Sequence, residues 1–220
     1  LHECLALLDV ADNAEQIIER VLAGNLDSEQ HKSRLLIDLK KVMNTPQSQS
    51  WFDASNRIFR EHELVATSGE TLRPDRVVVS QEKVVVIDYK TGMPPSTKQI
   101  NAGFALQLGL IGYMAEELSI KGVSGAASHF EYWSLAKNKA KDFGSIAIPT
   151  STRLADKKPE REDFIAFAVA QAEVAISNWI LGNTPFTAKL HPEFALYGDY
   201  DQLMRLQEWN GRQAIVEDAT

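Results

Sequence analysis

A chain of 220 residues, 44% hydrophobic and 24% charged, has the composition of an ordinary globular protein and is long enough to bury one substantial core. Its net charge of −7 runs against unaided nucleic-acid binding, because phosphate neutralisation by Lys and Arg supplies most non-specific affinity. The single cysteine, Cys4, excludes an internal disulfide, a four-cysteine zinc site and a cysteine-ligated iron-sulfur cluster, so any metal must be held by oxygen and nitrogen.

The chain opens on Leu1-His2, already inside a helical pattern with no capping residue ahead of it, which is the expectation for a fragment of a longer protein. Residues 1–24 are predicted as one helix ending near Gly24, and 28–44 as a second that starts at Asp27-Ser28 and stops before Pro46. Their apolar positions, Leu5, Leu8, Ile17 and Val21, then Leu35, Leu36, Leu39 and Val42, give helical faces. From Arg57 to Val65 the pattern changes to a strand of charged alternation, closed by a turn at Ser68-Gly69-Glu70. Glu61 and Glu63 share a face of that strand, either solvated or offering outer contacts to a metal.

Two valine-rich strands follow, Arg76-Val77-Val78-Val79 and Val84-Val85-Val86-Ile87. A two-residue turn at Gln81-Glu82 would set Val79 opposite Val84 and Asp75 opposite Asp88, so both carboxylates converge at the open end of the hairpin. Asp88 and Lys90 lie on one face of their strand, which brings an ammonium beside the two carboxylates. Taken singly, either aspartate reads as a strand-end residue in a surface ion pair with Arg76 or Lys90. Two carboxylates forced together, however, repel and raise each other's pKa unless a cation intervenes, and hard oxygen ligands suit Mg2+ or Mn2+. Such a metal activates water for attack on phosphorus, while Lys90 orients that water or neutralises the developing charge. Val84 and Val86 alternate with Val85 and Ile87, so this strand is apolar on both sides and is predicted to be central in its sheet.

Beyond Pro94-Pro95, Ser96 and Gln99 match a capping box that opens a helix to about Leu118, with Ile100, Phe104, Leu108, Ile111 and Leu118 as its inward stripe. Gln107 falls beside that stripe, an inward amide near Lys90. Strands at 128–135 and 145–148 are predicted to extend the sheet, a helix from about Glu160 to Leu181 to cover it, and a short helix to form near Asp201 to Trp209. Tyr132 and Trp133 read as core residues. Lys137, Lys139 and Lys141, with Lys157, Lys158 and Arg161, read either as solvated loops or as a phosphate-binding groove. The sequence contains no P-loop, no second histidine at zinc-protease spacing after His2-Glu3 and no Gly-x-Ser-x-Gly elbow. Neither an apolar run of about 18 residues nor a signal pattern is present, so a cytoplasmic setting without a membrane span is expected.

The pairing of Arg73-Pro74-Asp75 with Asp88-Tyr89-Lys90-Thr91-Gly92, followed by Gln107-Leu108 and preceded by His2, resembles the RecB-like branch of the PD-(D/E)XK nucleases. Within that branch it is similar to the C-terminal nuclease domains of AddA/AddB-type helicase-nucleases, and Pro94-Pro95 and the stretch from Gly198 to Trp209 look like the AddB-type tail. The resemblance implies an α/β fold with a restriction-endonuclease-like core, a central mixed β-sheet flanked by α-helices. It implies a single nuclease domain over 1–220, with a helical part at 1–56, a catalytic sheet core at 57–150 and C-terminal helices and tail at 151–220. It further implies that Asp75, Asp88, His2 and the backbone carbonyl of Tyr89 are metal ligands, and that Lys90 and Gln107 serve catalysis beside the two aspartates. The activity implied is that of a Mg2+- or Mn2+-dependent deoxyribonuclease without an iron-sulfur cluster, an exonuclease in recombinational double-strand-break repair. Its DNA would arrive as single strands delivered by a helicase subunit or domain. Where the family often has a tyrosine four residues after the glutamine, this chain has Ile111, with Tyr113 further on. The alternative is a non-catalytic nuclease-like scaffold that binds DNA or a helicase subunit.

Overall fold

In the computed structural model, which describes residues 1–8, 14–22, 29–60, 64–65, 69, 71–80, 83–117, 123, 125–136, 145–150 and 158–185, the valine-rich hairpin forms the middle of a five-stranded sheet. The chain divides into two units, Leu1–Ala172 and Glu173–Thr220. In the first, helices α1 (His2–Leu7), α2 (Ala14–Leu22), α3 (Glu29–Met43) and α4 (Pro46–Trp51) precede β1 (Arg57–Arg60). Then come β2 (Leu64–Val65), β3 (Thr71–Leu72), β4 (Arg76–Ser80) and β5 (Lys83–Lys90). Helices α5 (Thr97–Asn101) and α6 (Gln107–Glu117) lead to β6 (Ala126–Ser134), β7 (Ser145–Ala147) and α7 (Phe164–Ala175). The second unit is described as far as residue 185 and comprises the last residues of α7 and a π-helical turn, Ile176–Ile180.

The sheet order is β1-β4-β5-β6-β7, with β2 and β3 paired separately. β5 is therefore central, as its two-sided apolar pattern predicts. It pairs antiparallel with β4 and parallel with β6, a connection that needs a crossover, and α5 and α6 supply it. Val85, Ile87 and Tyr89 are buried in one cluster with Leu5, Leu8 and Phe52; Val84 and Val86 are buried in another with Ile100, Leu108 and Phe164. The fold is thus a mixed sheet with helices on both faces. The hairpin register is as expected, running from Ser80 opposite Lys83 through Val79 opposite Val84 to Arg76 opposite Ile87. Asp75 stands one residue beyond this ladder, and turn residues 81 and 82 lie outside the described residues.

The helices predicted over 1–24 and from Ser96 to Leu118 differ from the observed ones, and an unpredicted helix begins at Pro46. The single helix expected over 1–24 ends at Leu7, where Leu8 is extended (φ −81°, ψ 119°). Arg76 Nη2 donates to the carbonyls of Leu5 (2.9 Å) and Leu8 (2.6 Å), and Arg60 Nη1 to that of Leu7, so arginines from the sheet take the place of the next helical turn. Pro46 does stop α3, but it also opens α4, since a proline at the first helical position forfeits no hydrogen bond. The helix expected from Ser96 to Leu118 is two helices. Its capping box forms as predicted, but Gly103 at φ +78° ends α5 in a Schellman turn, with Gly103 N–H donating to Ile100 O (3.0 Å) and Phe104 N–H to Gln99 O (2.9 Å). Phe104 consequently faces solvent at 50% exposure, whereas Ile100, Leu108 and Ile111 are buried as expected. Leu118, Glu61, Glu63 and the helix near Asp201 to Trp209 lie outside the described residues, among which no helix is long and apolar enough to cross a membrane.

Candidate active site

The C-terminal end of β5 is where an apolar strand becomes polar. Alternation places Asp88 and Lys90 on the α6 side with Val84 and Val86, and Tyr89 on the α1 side with Val85 and Ile87. Asp88 is only 3% exposed, and burial pushes its carboxyl above the ordinary carboxylate range. Lys90 opposes that rise, the charge of Asp75 adds to it, and Gln107 opposes it. The Lys90 ammonium lies 2.6 Å from Asp88 Oδ2, donates to Gln107 Oε1 at 3.2 Å and sits 5.5 Å from the centre of the Tyr132 ring. Asp88 Oδ2 is buried, and the Lys90 ammonium is the positive charge that faces it. The Tyr132 hydroxyl is held neutral far above its ordinary range, by burial first and by the Asp88 charge second.

Beyond the ladder, the Asp75 carboxylate continues the hairpin in side-chain form: its Oδ2 accepts the Tyr89 N–H at 2.7 Å. His2 Nε2 lies 3.6 Å from the same oxygen, and its ring stands edge-on to the Tyr89 ring with centroids 5.3 Å apart. The structure therefore brings His2, Asp75, Asp88, Tyr89, Lys90 and Gln107 to one strand end, in two halves on opposite sides of β5. Asp88, Lys90 and Gln107 meet on the α6 side; His2 and the Tyr89 ring meet on the α1 side. Among the described residues no three His, Cys, Asp or Glu side chains are gathered so as to enclose a metal ion, and the Lys90 ammonium supplies the positive charge against Asp88. In chemistry the donors fit a hard divalent cation: two electrostatically coupled carboxylates, one buried and faced by the mobile Lys90 ammonium, and an imidazole beside them.

Gln107 is exposed, not inward, yet it reaches Lys90 as expected. Tyr132 and Trp133 are core residues, and Tyr113 is exposed while Ile111 is buried. Lys158 donates to the Ile148 carbonyl at 2.5 Å, and the Arg161 charge, after burial, holds His129 below its ordinary range. Lys137, Lys139, Lys141 and Lys157 lie outside the described residues.

Arg76 is not the surface partner of Asp75 that the aspartate taken singly would suggest. It is instead fully buried, donating from Nε to the Tyr89 hydroxyl at 2.6 Å and lying with its guanidinium 4.6 Å from the Phe52 ring centre. The signal was present: Arg76 shares its strand face with Val78, which points into the core. A second unanticipated feature is Glu131, 4% exposed, which accepts from Trp51 Nε1 at 3.1 Å and from Trp133 Nε1 at 2.8 Å. Burial raises its carboxyl, and the two indoles oppose the rise.

A family model described as PD-(D/E)XK nuclease superfamily matches residues 1–204. No curated protein matches the chain.

Proposed function

The chain belongs to the PD-(D/E)XK nuclease superfamily, and from that membership we propose that it is a Mg2+- or Mn2+-dependent deoxyribonuclease. Asp75, Asp88 and His2, with the backbone carbonyl of Tyr89, would hold the metal, and Lys90 and Gln107 would act beside it. The observation that carries this reading is the Lys90 ammonium, held between a buried carboxylate and the Gln107 amide at the end of the central strand. When bound, a divalent cation supplies positive charge to the phosphate oxygens and acidifies a nearby water. Lys90 is 31% exposed on a flexible stem, so it can leave Asp88 for a phosphate oxygen while Gln107 keeps its ammonium at the strand end. There it stabilises the charge that grows on the phosphate as the water attacks. Tyr89 N–H pins one oxygen of Asp75 and so fixes that carboxylate before substrate arrives.

The finer assignment is a RecB-like domain of an AddA/AddB-type helicase-nuclease, acting as an exonuclease in recombinational repair in the cytoplasm, with catalysis carried by residues 57–150 of a single domain. Its support is the Asp88-Tyr89-Lys90-Thr91-Gly92 strand end behind Pro74-Asp75, together with a net charge of −7, which suits a domain to which a helicase delivers single strands. The scaffold reading is favoured by one observation, the absence among the described residues of a gathered metal-binding set. Cleavage of end-labelled single-stranded DNA by wild type and Lys90→Ala, with Mg2+, Mn2+ or EDTA, separates the two. Metal-dependent cutting by wild type and none by Lys90→Ala is expected, and the product ladder then distinguishes attack at ends from internal attack. Inactivity of wild type, persisting with its helicase partner present, would establish the scaffold.

A further inference from the structure

We propose that Arg76 is a positioning residue for this centre: its buried guanidinium clamps the end of α1 to Tyr89 and thereby sets the His2 imidazole beside Asp75. The proposal deepens the reading above and rests on it for the identity of the centre. A buried guanidinium is costly to keep, and among the described residues no carboxylate stands within ion-pair range of Arg76. Among the described residues its Nη1 has no acceptor. What its charge meets instead is the Leu5 and Leu8 carbonyls, the Tyr89 hydroxyl and the face of Phe52.

The guanidinium is a rigid planar fork, so donating from Nη2 to α1 and from Nε to β5 fixes the two elements in one plane, which the single ammonium of lysine cannot do. α1 has only six residues, too few to persist without tertiary contacts, and it ends at an extended Leu8. His2 at its first turn is therefore placed by whatever holds its last turn, about 5 to 8 Å away at the ordinary helical rise. Arg76 also reaches the other side of the same contact. Tyr89, whose hydroxyl it holds, turns its ring against His2 and gives its backbone N–H to Asp75, the residue that His2 approaches.

Two measurements on Tyr89→Phe and Arg76→Lys test the clamp. Tyr89→Phe keeps the ring, its packing and the backbone N–H and removes only the oxygen that Nε addresses, so it carries the test should Arg76→Lys fail to fold. In metal-free protein the His2 ring-proton resonances, identified by their loss in His2→Gln and displaced by the neighbouring Tyr89 ring, are expected to move in both variants, while those of His31 stay. By calorimetry, Tyr89→Phe is expected to weaken Mn2+ binding about tenfold, as the loss of a group that orients a ligand does, and to cause no further loss in the His2→Gln background. Unmoved His2 resonances, or equal weakening of Mn2+ binding in both backgrounds, would overturn the proposal. Resonances that move in the variants, with a wild type that binds no Mn2+, would support the clamp and remove the metal reading alone.

Discussion

A carboxylate 3% exposed with a lysine as its ion-pair partner makes Asp88 and Lys90 an energetic unit before any chemistry begins. A surface pair is worth up to about 1 kcal/mol, whereas removing one member of a fully buried pair costs about 3–5 kcal/mol. Lys90 is 31% exposed, and Asp88, already raised by burial, can take up a proton when its partner is lost. Lys90→Ala is therefore expected to lose about 1–2 kcal/mol in urea unfolding, between those limits. Adding Asp88→Asn should restore most of it, because the uncompensated charge is then gone; failure to restore would mean that the lysine stem, not the charge, holds this strand end. Glu131 makes the corresponding prediction in pH. Its folded carboxyl is raised above the ordinary 4.5, so the folded state binds a proton more tightly than the unfolded chain. The stability tied to that proton is complete below 4.5 and is lost as pH rises through the raised value. Melting temperatures from pH 4.5 upward should accordingly fall less steeply in Glu131→Gln than in wild type, whatever the fixed offset between them; a steeper fall in the variant would contradict this account.

At the scale of elements, α6 and α7 meet through a position where any side chain would be too large. A Cβ at Gly109 would lie 2.5 Å from Ala168 Cβ and 3.2 Å from the Phe164 carbonyl oxygen, neither of which can swing away. Alanine gains about 1 kcal/mol of helix propensity over glycine, but overpacking costs about 1–3 kcal/mol, and with a short methyl as the obstacle the upper part of that range applies. Gly109→Ala should thus destabilise, and Ala168→Gly should recover part of the loss in chemical denaturation; a stabilised Gly109→Ala would show that the helices separate freely. These elements also mark what one sequence can disclose. Strands β4, β5 and β6, the centrality of β5, the hairpin register and the Ser96 capping box follow from alternation and local hydrogen-bonding chemistry, which act over a few residues, whereas the strand expected over Arg57 to Val65 is divided between β1 of the main sheet and β2, which pairs with β3. The end of α1 does not follow from them, because Arg60 and Arg76 impose it from far along the chain. Nor does the split at Gly103, where a stripe that includes Phe104 reads as one continuous helical face until a single positive φ reverses the backbone. Alternation alone brings Asp75, Asp88 and Lys90 to one strand end, whereas His2 was implied only by the resemblance, and the division of these residues across the two faces of β5 depends on how α1 and α6 are held.

For the molecule as a whole, an acidic chain has to be reconciled with the proposed phosphodiester-cleaving site. On the proposed reading, a chain of net charge −7 would bind single-stranded DNA through a small number of local contacts, with Lys90 proposed as one of them. Each phosphate contact on a single strand contributes about −0.7 to the slope of log affinity against log salt, so the isolated chain should show a shallow slope of about −1 to −2. Lys90→Ala should make it shallower by about 0.7 while lowering affinity for all sequences alike, since a phosphate contact carries no base information. Fluorescence anisotropy with a labelled oligonucleotide in Ca2+ across a salt series measures this without turnover. A slope of about −4 or steeper would instead require an extended basic surface, and the run Lys137, Lys139, Lys141 is the segment of sequence able to provide it. Neutralising that run would then reduce the slope, and the chain would need no partner to bring DNA to the end of β5. A shallow slope that the run does not affect would support the proposal that a partner delivers DNA to this domain.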